Sequence, residues 1–194
     1  IEVLKRVSNT GSWGLLYEEI TDKLGFRRHS GEGKVMGLAA YGKPDPAGFP
    51  FIKWDVDIPE IDGKGRKAFI ASLPTRHKDD ELTDYHSNLA ATLQDVLERA
   101  GAQMVEWLYQ QTGLRRLCLA GGTALNCSMN GKLAQLPFVD EIYVQPAAHD
   151  AGTALGAALH VHVEKTGQRP NWQMQHAYWG PEYTNEEIEQ ALKA

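Results

Sequence analysis

Residues 118–127, CLAGGTALNC, and residues 144–154, VQPAAHDAGTA, are built alike. Each closes an apolar run, turns at glycine or proline, and opens a helix-like stretch with a polar residue at its mouth, Asn126 in the first and Asp150 in the second. A short apolar run ahead of such a turn reads as a strand, here RRLCLAG at 115–121 and DEIYV at 140–144. A helix over 126–135 and another over about 151–165 complete a strand–loop–helix–strand–loop–helix order. Strands joined by a crossover helix lie parallel, so the class is α/β. The expectation is a mixed sheet with 115–120 beside 140–144, both helices packed on it, and the two loops forming two walls of one site. In open α/β sheets ligands sit beyond the carboxyl ends of the strands. Asn126 and Asp150 should therefore open onto one concave face with Gly121-Gly122 at its floor.

The pattern extends on both sides. WGLLYEEITDKLG at 13–25 places Leu16, Ile20 and Leu24 four apart, an amphipathic helix that Gly25 can end. RRHSGEGKVMGLAAYGKPDPAG follows as a loop, a short apolar helix and a Gly/Pro loop. FIKWDVDI at 51–58 alternates apolar and polar residues, which predicts a half-buried strand. DGKG at 62–65 then reads as a turn and RKAFIASL as the return strand, giving a β-hairpin around 51–71. Residues 87–112 carry Leu89, Leu93, Val96, Leu97, Ala100, Met104 and Leu108 at steps of three and four, a long core helix with Gly101 its weak point. Thr184 with Glu187 three residues later is a capping-box pattern for a last helix over 185–193.

Composition limits the functional classes. The 194 residues carry 20 Lys and Arg against 25 Asp and Glu, a net charge of −5 that argues against a dedicated nucleic-acid binder. Arg76-His77-Lys78 runs straight into Asp79-Asp80-Glu81 and reads as a solvated loop. Cys118, placed in a buried strand, and Cys127 form no disulfide framework and lack zinc-ligand spacing; a reducing cytoplasm fits them. No secretory leader and no membrane-length apolar run is found. The start at Ile1 reads as a piece of a longer protein or a processed chain.

Each loop residue has two local readings. Gly121 and Gly122 allow close approach of a ligand to backbone N–H groups, or simply a tight turn with positive φ. Asn126 either points its amide into the cleft or caps the next helix. Asp150 either holds a metal or a ribose, or caps helix 151–165, and these roles are compatible. His149 is expected to face solvent. His160 and His162, two apart on a helix, are poorly spaced for a shared metal. GEGKVMG at 31–37 reads either as a phosphate approach or as a flexible loop.

Taken together, GEGKVMGLAAYGKPDP, LAGGTALNCSMNGKLAQLPFVDEIYVQPAAHDAGTALGAAL and GPEYTNEEI resemble the nodulation-protein-U type O-carbamoyltransferases. The resemblance covers nearly the whole chain. It implies the second lobe of an actin/Hsp70-like (ribonuclease-H-like) ATPase domain over 1–180, with 181–194 beginning the linker to a C-terminal domain. By the same resemblance, that further domain would make carbamoyl-adenylate from carbamoyl phosphate and ATP. The carbamoyl group would then pass to a hydroxyl of a small-molecule or glycan acceptor.

The resemblance also implies site residues: Gly121, Gly122 and Asn126 as nucleotide contacts, Glu18 and Gly31 as nucleoside contacts, and Asp150 as a ligand of Fe(II) or another divalent metal. The H-x-x-x-H pair that the family's metal site needs is absent from this sequence, as are the first phosphate strand and the second domain. The implied partners are therefore a first lobe and the C-terminal domain of the same protein, with neither nucleic acid nor membrane, and the fragment is expected to be inactive alone. Two other readings stand beside this one: an ATP-binding lobe of a sugar-kinase-like enzyme, and a metal-free nucleotide-binding or regulatory lobe.

Overall fold

Ser12 opens the first helix, its Oγ accepting from the Leu15 N–H at 3.2 Å. Helix α1, Trp13–Lys23, ends at Leu24 and at Gly25, whose φ is +76°. Leu16, Ile20 and Leu24 are fully buried, as the four-residue spacing requires. The computed structural model describes residues 2–193. Helix α2, Glu32–Ala39, begins at Gly31 and buries Val35.

Strand β1, Ile52–Lys53, pairs antiparallel with β2, Glu60–Ile61. Helix α3, Gly63–Ser72, follows directly. The alternation expected over 51–58 survives as burial, with Ile52 and Ile58 buried and Lys53, Asp55 and Asp57 exposed, but the hydrogen-bonded ladder is two residues long. The return strand expected at 66–73 is helix instead. The cause is Asp62, whose carboxylate accepts from Lys64 N–H and Gly65 N–H, both at 3.1 Å, turning a supposed hairpin tip into a helix N-cap. Its helix then buries Arg66, which lies 3.2 Å from Glu19 and donates to the Thr10 carbonyl at 3.0 Å.

Helix α4, Asp84–Thr112, is the axis of the molecule. It starts three residues earlier than its apolar repeat predicts, because Thr83 donates its N–H to His86 Nδ1 at 3.0 Å and so caps the extra turn. Leu93, Val96 and Leu97 meet Leu16, Ile20, Val35, Met129 and Leu133 in one core, which Phe49 and Phe51 extend with rings stacked 5.5 Å apart. Burying each such side chain stabilises the fold by about 1.5–3 kcal/mol before conformational entropy is counted.

Strands β3, Arg116–Leu119, and β4, Glu141–Val144, pair in parallel with Leu117 opposite Ile142, as the crossover order predicts. Helix α5, Cys127–Leu133, is the crossover and packs on α4. Three expectations about this region need correction. The described residues form two separate two-stranded sheets, one antiparallel and one parallel, rather than one mixed sheet. Cys118 is exposed, since only Leu117 of β3 is buried, and the segment at Met174 that bonds Tyr143 Oη on the opposite face leaves the thiol open. Helix α6, Gly152–Thr166, does not pack on the sheet and buries none of its residues. Helix α7, Asn185–Lys193, carries the capping box read from sequence: Thr184 N–H donates to Glu187 Oε2 at 2.7 Å, and Glu187 N–H to Thr184 Oγ1 at 3.2 Å. Among the described residues no helix is long and apolar enough to cross a membrane.

Candidate functional site

The two loops meet at the ends of β3 and β4. Gly121, with φ +100°, donates its N–H to the Ala148 carbonyl at 2.7 Å, so the backbone of one loop is fastened to the backbone of the other. A conformation at this φ strains any L side chain, which explains the glycine. The chain then makes a 3₁₀ turn over Gly122–Leu125 and enters α5 through Asn126.

A cleft of about 720 Å³ opens beside this junction. Glu18 and Tyr17 come to it from α1, Glu32 and Met36 from α2, His29 and Ser30 from the loop between them, Gly122, Thr123 and Asn126 from the first loop, and His149 and Asp150 from the second. Four of the six residues singled out from sequence thus share one cleft: Glu18, Gly122, Asn126 and Asp150. Gly121 supplies the fastening bond behind it. Gly31 does not line it. A Cβ there would stand 2.7 Å from the Arg27 carbonyl oxygen and 2.8 Å from Phe26 Cβ, so the glycine is demanded by the tight entry into α2.

The local alternatives separate in this geometry. Asn126 is a cap, its Oδ1 accepting from Met129 N–H at 2.9 Å, and it is also a cleft residue. Asp150 is not a cap. Helix α6 has Ala151 at its N-cap with no side-chain bond, and the Asp150 contribution is its backbone carbonyl, which accepts from Thr153 N–H at 3.0 Å and Thr153 Oγ1 at 2.6 Å. Its exposed carboxylate has no hydrogen-bond or ion-pair partner among the described residues. His149 is exposed as expected, and its Nδ1 accepts from Ala151 N–H at 3.4 Å. His160 lies 3.3 Å from Glu164 on the exposed α6.

The cleft is acidic. Glu18, Glu32 and Asp150 line it with no lysine or arginine among the lining residues. Glu18 is partly balanced at its rim, with His29 Nε2 at 3.3 Å and Arg28 at 3.8 Å. Glu32 accepts the His29 backbone N–H at 2.8 Å and holds that residue at φ +63°. Among the described residues no three His, Cys, Asp or Glu side chains are grouped so as to hold a metal ion, so this chain by itself does not fit the metal that the resemblance implies.

Beneath the cleft lies a polar network that reading the sequence missed, buried at Tyr17, Gln94, Glu98 and Asn126 and reaching the surface at Ser128 and Lys132. Gln94 and Glu98 of α4, Tyr17 of α1, and Asn126, Ser128 and Lys132 at and in α5 are joined by hydrogen bonds and one ion pair. Burial and the nearby Glu98 charge push the Tyr17 hydroxyl well above the usual phenol range, so it stays neutral. Burial alone would raise Glu98, but hydrogen bonds from Lys132, Ser128 and Gln94 outweigh it and hold the carboxyl below its ordinary value. The available signal was two polar residues, Gln94 and Glu98, four apart and interrupting the apolar run Leu93, Val96, Leu97.

Comparison with known proteins places this arrangement. Residues 2–159 match the family described as carbamoyltransferase N-terminus. The chain is 38% identical to nodulation protein NolNO of Sinorhizobium fredii, over the whole of this chain and 29% of that protein. It is 40% identical to nodulation protein NolO of Bradyrhizobium diazoefficiens, over 91% of this chain and 33% of that protein. Nodulation protein U of the same organism is 29% identical over 60% of this chain and 19% of its own length. The chain spans about a third of the length of the first two relatives.

Proposed function

The chain belongs to the carbamoyltransferase family, in its N-terminal part, and from that premise we propose that it is one wall of the carbamoyl-transfer site of a longer O-carbamoyltransferase. The observation that carries the site is the convergence of Glu18, Gly122, Asn126 and Asp150 on one cleft from three separate parts of the chain. The lobe would be that of an actin/Hsp70-like ATPase. The crossover β3–α5–β4, with its loops at the carboxyl ends of parallel strands, is compatible with that architecture.

In this reading a carbamoyl-adenylate, formed from carbamoyl phosphate and ATP by the remainder of the protein, lies in the cleft. The acceptor hydroxyl oxygen attacks the carbamoyl carbon. The new C–O bond forms, the bond from that carbon to the phosphate oxygen breaks, AMP departs with the electron pair, and the hydroxyl proton passes to solvent. This chain's share is orientation. Carboxylates at positions 18 and 32 suit the hydroxyls of a ribose, Asn126 suits an oxygen acceptor, and the open backbone at Gly122 lets the ligand approach closely. With no cation lining the cleft, phosphate charge has to be balanced by other parts of the assembly. Asp150 is the residue the resemblance implies as a ligand to a divalent metal, whose other ligands would come from the rest of the protein.

The reading is tested by assaying the complete polypeptide with carbamoyl phosphate, ATP and a panel of hydroxyl acceptors, beside residues 1–194 alone. The complete protein should carbamoylate an acceptor. The isolated chain should show no transfer and weak nucleotide binding, because half the charge-assisted bonds of the site are missing. Tight ATP binding by the isolated chain in calorimetry would contradict the half-cleft picture.

A further inference from the structure

Among the described residues one non-glycine residue stands at positive φ: His29, at +63°. A left-handed backbone is unfavourable for an L side chain and persists only where the surroundings impose it. Here two carboxylates impose it, one from each helix flanking the loop. Glu32 of α2 accepts the His29 backbone N–H on Oε1 at 2.8 Å, and Glu18 of α1 has its Oε1 3.3 Å from the ring Nε2.

The contact with Glu18 also fixes the ring's protonation pattern. An ionised carboxylate only accepts, so Nε2 carries the hydrogen that faces it, and the lone pair of the neutral ring lies on Nδ1. That atom has no hydrogen-bond partner among the described residues, and the side chain is 81% exposed on a residue lining the cleft. His149, the other histidine of the cleft, already uses its Nδ1 on the Ala151 N–H. The charged neighbours of the ring are Glu18, Glu32 and the Arg28 guanidinium, which lies 3.8 Å from Glu18 and 3.4 Å from Asp22; His149 and Asp150 line the same cleft from the second loop. Both contacts to Glu18 fall on Oε1, so its Oε2 stays available to a ribose hydroxyl.

An imidazole held at one nitrogen by a carboxylate, with the other nitrogen open, is built to take a proton. We infer that His29 is a catalytic residue of carbamoyl transfer: its Nδ1 accepts the proton of the acceptor hydroxyl as that oxygen attacks the carbamoyl carbon, and Glu18 steadies the imidazolium that forms. The proton passes from the ring to solvent after AMP has departed, which restores the neutral imidazole. This rests on the reading of the cleft as the carbamoyl-transfer site.

The test compares wild type, His29→Asn and His29→Gly in the complete polypeptide. Asparagine and glycine both accept a left-handed backbone, so neither adds strain, and neither side chain can act as a base. Acceptor carbamoylation, carbamoyl-adenylate formation, AMP affinity by calorimetry and thermal melting are measured on each. In both variants kcat for transfer should fall about a hundredfold, with adenylate formation, AMP affinity and Tm unchanged. The fall of wild-type kcat toward acid pH should vanish in the variants, and added imidazole should restore part of the rate to His29→Gly. Transfer near the wild-type kcat in His29→Asn, or a loss seen only in KM or AMP affinity, would overturn the role of His29 and leave the site standing. A wild-type protein that carbamoylates no hydroxyl acceptor would overturn both. If the variants fail to fold, the wild-type profile decides: a kcat independent of pH between about 5 and 8, where imidazole titrates, overturns the proposal.

Discussion

Helices α4 and α6 are both written in small and aliphatic residues, yet α4 buries twelve of its side chains and α6 buries none. The difference lies in what surrounds them. Around α4 stand α1, α2 and α5, each offering an apolar face. Along α6 the sequence GTALGAALHVHV is apolar on nearly all sides, a pattern of helices enclosed by other elements, but no such enclosure exists among the described residues. Periodicity therefore specifies that a helix forms and says nothing of whether its cover lies in the same stretch of chain. The cleft sits on the seam between these regions, with Asn126 rooted in the packed body and Asp150 at the threshold of the uncovered arm.

The largest effect expected from this contrast is on chemistry. Asp150→Ala in the complete polypeptide should lower carbamoyl transfer by at least about a hundredfold, since a site side chain is lost. It should leave stability within about 0.5 kcal/mol, because the carboxylate neither caps α6 nor pairs with anything. Assaying transfer and circular dichroism on one preparation checks both halves, and transfer near the wild-type rate would remove Asp150 from the site. Leu93→Ala, in the body, should do the reverse. A fully buried leucine of α4 is worth about 2–5 kcal/mol on truncation, read from denaturant titration.

Gly31→Ala comes next, at about 1–3 kcal/mol, because the added methyl group meets the Arg27 carbonyl and Phe26. A loss confined to stability would fit its packing role, while a loss of nucleotide affinity at unchanged stability would return it to the site. Glu98 gives the body a modest dependence on pH. Its carboxyl is held below the ordinary glutamate value, so its contribution is fully present above about pH 4.3 and is lost as pH falls through the lower folded value. Urea melts of wild type and Glu98→Gln between pH 3 and 7 should converge at the acid end. The smallest effect belongs to the arm. Val161→Ala on α6 should change the stability of residues 1–194 by less than about 0.5 kcal/mol, and a larger loss would show that the arm is packed after all.

The parts legible in the sequence were those decided by short-range pattern or by connectivity. The spacing of Leu16, Ile20 and Leu24 gave α1, the strand–helix–strand order gave the parallel pair, and the Thr184/Glu187 pair gave α7. The misread segment, 62–73, turned on one side chain: Asp62 closes a helix cap where DGKG resembled a hairpin tip. Of the site, the two loops could be read, since their glycines and mouth residues stand out. Gln94 and Tyr17 could not, because Gln94 meets Asn126 across 32 positions, Tyr17 meets Gln94 across 77, and neither belongs to a local motif. The cap role of Asp150 failed for a related reason: its carbonyl rather than its carboxylate starts α6, and residue type does not distinguish them.

The bond from Gly121 to Ala148 has a consequence for how the site can vary. Both of its atoms belong to the main chain, so ordinary substitution at position 148 leaves it intact, and at position 121 only the strain of φ opposes change. Side chains on either loop are thus free to be exchanged for a different ligand while the spacing between the loops is kept. Proline at position 121 is the substitution that deletes the donor outright. The gap between the two walls is inherited from the backbone, and the chemistry displayed across it is what mutation can rewrite.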